Sequence, residues 1–384
     1  MASQISYELG RVPRTLVGID ALSSLGATLD GLGGGAAVVI ADRGVEACGY
    51  VDRVLQALRP RAATVHLVPW GEPTIESVDA AAQVVREVPD AIVVGVGGGS
   101  ALDIAKQAAV VSTGSVGVEP YLLCATPLPG RRPIIAIPTT SGTGAEVTRT
   151  CIVADGSGRK LWTWGDEMLP DVVVLDPTAA ASMPHAVTVG TGLDAFVHAL
   201  EACSGQRRNS IAAAAAQRAM ALVLIHLPRV AEDGSNLVSR QAMQEAAFLA
   251  GVAIDNCGTG VAHSIGHALG SLYHLPHGMS VAVGLRAALE WNTAGEPDAY
   301  VDAATALECR IDEVPAMFAT LCQSSGMASA MRGLDAAMSV DHIAATMFAV
   351  ENQPMLDNNA RPVAEADRQL LAERTVDVWD RLRS

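Results

Sequence analysis

Lysine is almost missing from this chain: of 26 basic residues only Lys106 and Lys160 are lysine. A chain that otherwise uses arginine marks these two positions for a compact, rotatable ammonium that a planar guanidinium cannot replace. An arginine-biased genome would leave the same count by chance. Basic blocks are missing as well, and the formal net charge of -15 would repel a phosphate backbone, so nucleic acid is excluded as a partner. Charged residues make up only 17% against 50% hydrophobic, which leaves little room for disorder. The seven cysteines are odd in number, widely spaced and lack any Cys-x-x-Cys pair. They read as reduced thiols rather than a disulfide frame or a zinc knuckle. No run approaches the roughly 18 to 20 apolar residues of a membrane span, and the start of the chain lacks the basic and apolar regions of a signal peptide. A cytoplasmic address and no membrane partner are the expectations.

What is present is enough chain, 384 residues, for two cores. Short apolar runs recur at Ala36–Ala41, Thr64–Val68, Ala91–Val96, Ile134–Ile137 and Val172–Leu175, and helix-like segments such as Val45–Leu58 and Ile75–Val88 lie between them. Continuous apolar strands separated by helices predict a parallel sheet covered on both faces. After Pro184 alanine-rich helical text takes over, as in Ile211–Leu227 and Gln241–Val252. The fold class expected is an α/β domain over residues 1–184 followed by an all-α domain over 185–384.

Two loops follow buried strands. Gly97-Gly98-Gly99-Ser100 precedes a helix, and its glycines let the backbone approach a phosphate while the unpaired helix-start amides donate to it. The spacing is not the Gly-x-Gly-x-x-Gly fingerprint, and a tight turn without ligand would look similar. Pro138–Glu146 gathers Thr139, Thr140, Ser141 and Thr143 among glycines, a loop able to wrap ribose hydroxyls and phosphates. Asp42 ends the first strong strand, where a carboxylate suits a ribose 2′-hydroxyl and repels a 2′-phosphate, favouring NAD over NADP. A helix-capping aspartate is the plainer reading of Asp42.

In the second half Asp194 and His198 stand four apart on a predicted helix, hence on one face. His263 and His267 repeat that spacing, and His274 and His277 follow, so four of the nine histidines fall within fifteen residues. Buried imidazoles need partners, and three imidazoles with one carboxylate suit a divalent metal of intermediate softness, iron(II) or zinc, better than calcium or magnesium.

These segments resemble the iron-containing (group III) alcohol dehydrogenase family. GGGSALDIAK (97–106), PTTSGTGAEVT (138–148), DPTAAASMP (176–184), TGLDAFVHALEA (191–202) and HSIGHALGSLYHLPHG (263–278) follow its motifs in order. The resemblance implies metal ligands at Asp194, His198, His263 and His277, iron(II) ahead of zinc(II), and a non-ligand histidine at His267 near the nicotinamide that could relay a proton. It implies NAD held by Asp42, Gly97, Gly98, Gly99, Ser100, Asp103, Thr139, Thr140, Thr143, Thr148 and Lys160. Thr150 and Ile254 fall at substrate-pocket positions.

The chain departs from the family's Pro-Asn-Pro-Thr turn, reading Gly71-Glu72-Pro73-Thr74, and Leu161-Trp162-Thr163-Trp164 is also unusual. The expected activity is hydride transfer between a small alcohol, or its aldehyde or ketone, and NAD, in a homodimer or larger homo-oligomer. A cyclase resembling dehydroquinate synthase is the alternative, disfavoured by the lack of lysine in the second half. A non-catalytic nucleotide-binding module would not need the ligand set.

Overall fold

In the computed structural model, which describes residues 6–383, the chain packs into two units. One comprises Arg11–Thr140 with Gly144–Ser182; the other takes the stretch through Gly10, the short loop Ser141–Thr143 and everything from Met183 onward. Composition changes at the last of these joins, whereas a three-residue loop belonging to the other unit leaves no compositional trace. The reading of the N-terminal residues falls in part on 1–5, outside the described residues.

The first unit is a six-stranded, all-parallel sheet of β1 (Arg14–Val17), β2 (Ala37–Asp42), β3 (Ala63–Val68), β4 (Ile92–Gly97), β5 (Ile134–Pro138) and β8 (Val172–Leu175), in the order β1-β8-β5-β4-β2-β3. Side chains alternate across a strand, and burial on both faces explains the unbroken apolar text of the central strands. Val38, Ile40 and Val93 pack with Val78, Ala81, Ala82, Ile104 and Ala105 of α3 (Ile75–Glu87) and α4 (Gly99–Val111). Val39, Val94, Ile135 and Val174 pack on the other face with Tyr50, Val51, Val54 and Leu58. Burying each valine, leucine or isoleucine among them contributes roughly 1.5–3 kcal/mol.

Three features differ from the sequence reading. The helix expected over 45–58 is two, α1 (Arg43–Ala47) and α2 (Tyr50–Leu58), broken at Gly49, whose φ of 76° is left-handed and cannot continue a helix. β1, four residues long at the sheet edge, is too short and too exposed for a periodic signal. The segment containing Leu161–Trp164 is the second half of an antiparallel hairpin, β6 (Thr150–Ala154) with β7 (Lys160–Trp164), in which Leu161 and Thr163 are buried and Trp164 is exposed.

The second unit centres on α5 (His185–Ser204), buried along most of its length, with α6 (Ser210–Glu232), α7 (Leu237–Cys257), α8 (Val261–Tyr273) and α9 (His277–Gly295). Alanines 212, 213, 216 and 219 of α6 are buried, which lets the helices approach closely. α6 runs past Leu227 and through Pro228 because Val230 continues its buried stripe. By length and composition α6 is apolar enough to cross a membrane, which qualifies the reading that no stretch approaches a span; here it packs against α5 and α7 and carries Arg218 and Arg229.

Candidate functional site

In the sheet unit the chain leaves β2 toward β3 on one side and returns to β4 on the other, so the strand order reverses between β2 and β4. Ligands of open α/β sheets bind beyond the carboxyl ends of the strands at such a reversal. The two residues at those ends are Asp42 and Gly97. A Cβ on Gly97, whose φ is 153°, would lie 2.6 Å from Ala101 Cβ and 2.8 Å from Asp42 Oδ2, so only glycine fits beside that carboxylate. Asp42 also caps α1: its Oδ1 accepts from the Val45 amide at 2.9 Å. The capping and ribose readings are thus compatible, one oxygen serving the helix and the other facing Gly97.

α4 begins at Gly99, and the amides of its first turn have no intrahelical acceptor. Gly98 and Ser100 are partly exposed there, and Thr140 packs against Gly98. Thr139 is buried and its amide donates to the Gly97 carbonyl at 2.9 Å, holding the two loops side by side. Thr148 is buried with its hydroxyl 3.4 Å from the Thr150 carbonyl. Thr143 lies in the loop that belongs to the helical unit. Glu146, the sole carboxyl of the 138–148 loop, is pushed up to about 7 by burial.

The two lysines are both engaged inside this unit. Lys106, 1% exposed, donates to the carbonyls of Ala145 at 2.8 Å and Thr150 at 3.1 Å, and lies 3.6 Å from Asp103 Oδ1. Asp103 Oδ2 accepts from the Ile152 amide at 2.9 Å. Asp103 therefore turns inward, bracing the hairpin and the second loop against α4. Burial raises its carboxyl and Lys106 opposes that rise. Lys160 is buried and pairs with Glu72 at 2.8 Å, so the residue that replaces the family's asparagine supplies the counter-charge of one of the two lysines.

In the helical unit Asp194 and His198 come from α5, His263 from α8, and His277 is the first residue of α9. Their donor atoms lie within 4.8 Å of one another. Asp194 Oδ1 is 3.7 Å from Nε2 of His198, 3.7 Å from Nε2 of His263 and 3.8 Å from Nε2 of His277. These separations are too long for hydrogen bonds and comparable to the spacing of ligands around one ion with bonds of about 2.0–2.2 Å. Asp194 is 1% exposed, and its Oδ1 and the Nε2 of His263 are buried without a hydrogen-bond partner among the described residues. Buried polar atoms left that way cost about 1–3 kcal/mol each, more when charged. A cation is the partner this donor set fits.

The rings are pre-set for it. His198 Nδ1 donates to the Gly142 carbonyl at 3.3 Å and His263 Nδ1 to Glu201 Oε2 at 2.5 Å, which turns both Nε2 atoms toward Asp194. Burial opposes ionisation of Asp194, but the three histidines hold its carboxyl well below the ordinary range. Burial lowers His198. Burial also opposes the His263 imidazolium, but Glu201 and Asp194 outweigh it and lift that ring to about 9, so its Nε2 holds a proton toward Asp194 until a cation displaces it. Glu201 was not among the sequence candidates; its only signal is that it lies three residues after His198, on the same face. His267 stands outside the four, its Nδ1 3.2 Å from Asn352 Oδ1 and its ring 5.8 Å from that of His277. His274 is exposed and takes no part. Thr150 gives its carbonyl to Lys106, and Ile254 packs against the helical core.

The family described as iron-containing alcohol dehydrogenase matches residues 13–177, and its C-terminal counterpart matches residues 188–374. The chain is 35% identical to 1,3-propanediol dehydrogenase of Klebsiella pneumoniae over 298 residues, 75% of this chain and 76% of that one. It is 30% identical to the NAD-dependent methanol dehydrogenase of Bacillus methanolicus over 302 residues, 77% and 78% of the two chains. The crystal structure of a 1,3-propanediol oxidoreductase superimposes with a TM-score of 0.87 at 28% identity, covering 96% of this chain and 100% of the other. Such matches define the class as oxidoreductases that use NAD and a divalent metal. The chain belongs to the iron-containing alcohol dehydrogenase family, and its reaction is the NAD-linked interconversion of an alcohol and its carbonyl compound.

Proposed function

We propose that Asp194, His198, His263 and His277 hold the divalent cation, iron(II) ahead of zinc(II), and that residues 1–184 bind NAD through Asp42, the Gly97–Ser100 turn and the hydroxyls of 138–148. The observation that carries the metal assignment is the buried Asp194 Oδ1, without a hydrogen-bond partner among the described residues and ringed by three Nε2 atoms. A cation bound there supplies Lewis acidity toward the oxygen of an alcohol or carbonyl, and NAD supplies the hydride acceptor. Asp194 contributes the negative charge that offsets the ion, while His198 and His263 present fixed tautomers. His267, outside the ligand set and hydrogen-bonded to Asn352, is the proton relay in this reading. Lys160 also stands toward the nucleotide in this reading, its charge tempered by Glu72.

The substrate proposed is a short aliphatic alcohol or aldehyde, the class named for the propanediol and methanol enzymes. A cytoplasmic location is supported by seven cysteines that are all unpaired. A homo-oligomer is supported by the edge strand β1, beside which Val12, Val17 and Ile19 are exposed.

The nucleotide assignment is tested by cofactor preference. Wild type is expected to favour NADH over NADPH by at least about fivefold, since one unit charge facing a phosphate is worth about a kcal/mol or more at partial burial. Asp42→Asn keeps an oxygen for the Val45 amide but removes the charge, so the preference should narrow several-fold while the thermal midpoint holds. Equal preference in the two proteins would leave Asp42 as a helix cap only. The reaction itself is tested by a panel of short aldehydes supplied with NADH to protein purified without oxygen and assayed for iron and zinc.

A further inference from the structure

We propose that Glu201 is a positioning residue: one carboxylate holds both the imidazole of His263 and the first turn of the helix that carries it. The inference rests on the reading of Asp194, His198, His263 and His277 as metal ligands. Glu201 stands on α5, seven residues after Asp194 and three after His198, and is 5% exposed. Its Oε2 accepts from His263 Nδ1 at 2.5 Å and from the Gly260 amide at 2.8 Å; its Oε1 accepts from the Ala262 amide at 2.7 Å. The amide between them, that of Val261, donates to Asn359 Oδ1 at 3.2 Å.

Capping alone does not explain this arrangement. A buried helix start needs acceptors for its free amides, and Asn359 meets that need without touching a ligand. Glu201 meets it and grips a ligand ring as well. A carboxylate only accepts, so a His263 proton is fixed on Nδ1 and Nε2 is directed at the cluster. The same side chain joins α5, which carries Asp194 and His198, to α8, which carries His263. One short, fully engaged linkage therefore sets the spacing between ligands from two helices. Its negative charge, one ring removed from the cluster, also strengthens His263 as a donor.

Glutamine at this position would keep the shape but set an NH2 group against one of the three donors. The test uses full-length protein stripped of metal, with Zn2+ affinity read by competition with a chromophoric chelator and ligand geometry read from the absorption of bound Co2+. Glu201→Gln is expected to bind Zn2+ about 10–100-fold more weakly than wild type and to shift the Co2+ bands. Asn359→Ala, which removes a cap but no ligand contact, should lower the thermal midpoint and leave Zn2+ affinity unchanged. Glu201→Asp keeps the charge but is one methylene too short to reach ring and amides together, so it should also weaken binding; it decides the matter should Glu201→Gln fail to fold. A folded Glu201 variant with wild-type Zn2+ affinity and Co2+ spectrum would overturn the proposal, and so would Asn359→Ala if it weakened binding as much as the Glu201 changes. In either case the metal site itself stands if wild type binds one Zn2+ and His263→Ala binds none. A wild type that binds no Zn2+ overturns the ligand assignment, and this proposal with it.

Discussion

Asp194→Ala is expected to yield a folded protein with less than about a tenth of an equivalent of bound metal, and His263→Ala the same. Loss of an outer partner alone costs 10–100-fold in affinity, and removal of a donor atom should cost more. Asp194 is the one anionic member of the four, and the three Nε2 atoms all face its Oδ1. Activity should fall with the metal: several kcal/mol of charge stabilisation at the reacting oxygen corresponds to roughly a thousandfold or more in rate. The fold should persist, since these side chains sit in a helical unit whose core extends from Val189 to Trp379. Elemental analysis and circular dichroism on the same samples check both halves; full metal content in either variant would disprove the ligand assignment.

The second large effect is steric. At the start of α9, a Cβ on Gly278 would lie 2.2 Å from the Gly190 carbonyl oxygen and 2.5 Å from its carbon. Both are backbone atoms of α5, so no side chain can swing aside. Gly278→Ala must move α9 away from α5, and His277, the adjacent residue, moves with it. Overpacking of this kind costs about 1–3 kcal/mol, a fall of roughly 2–12 °C in thermal midpoint for a unit of this size. Metal affinity should drop at least about tenfold, because His277 leaves the position from which it faces Asp194. Gly156→Ala, where an added Cβ meets nothing within 4 Å, is the matched control and should be silent. Wild-type metal affinity in Gly278→Ala would show that the contact of these two helices does not set the ligand geometry.

The features legible in sequence were those governed by periodicity or clustering. The four central strands of the sheet were visible because burial on both faces leaves no polar interruption, the edge strand β3 by its short β-branched run, and the histidine cluster because imidazoles so concentrated have few structural uses. β1 and the β6–β7 hairpin were missed: a four-residue edge strand carries little apolar signal, and the two five-residue runs Thr150–Ala154 and Lys160–Trp164 form a separate two-stranded sheet outside the βα alternation that organises the rest of this unit. Lys106 and Lys160 stood out by rarity, but rarity does not say what a residue touches. Their partners, the Ala145 and Thr150 carbonyls and Glu72, are 39, 44 and 88 residues away in the chain. Glu201 was hidden for the same reason, since its donors at 260, 262 and 263 come from another helix. Long-range acceptors of this kind are set by packing, which no local pattern encodes.

The most direct test of the central claim is a single titration. Protein stripped of metal and kept free of oxygen is supplied with iron(II) in steps, and NADH loss is followed with a short aliphatic aldehyde while the alcohol formed is quantified. The expected result is no turnover without metal, activity that rises to a plateau at one ion per chain, and one NADH consumed for each alcohol produced. Asp194→Ala should show no plateau at all. Full activity in the stripped protein, or conversion of substrate with no net loss of NADH, would contradict the claim that this cluster holds the metal for a net hydride transfer.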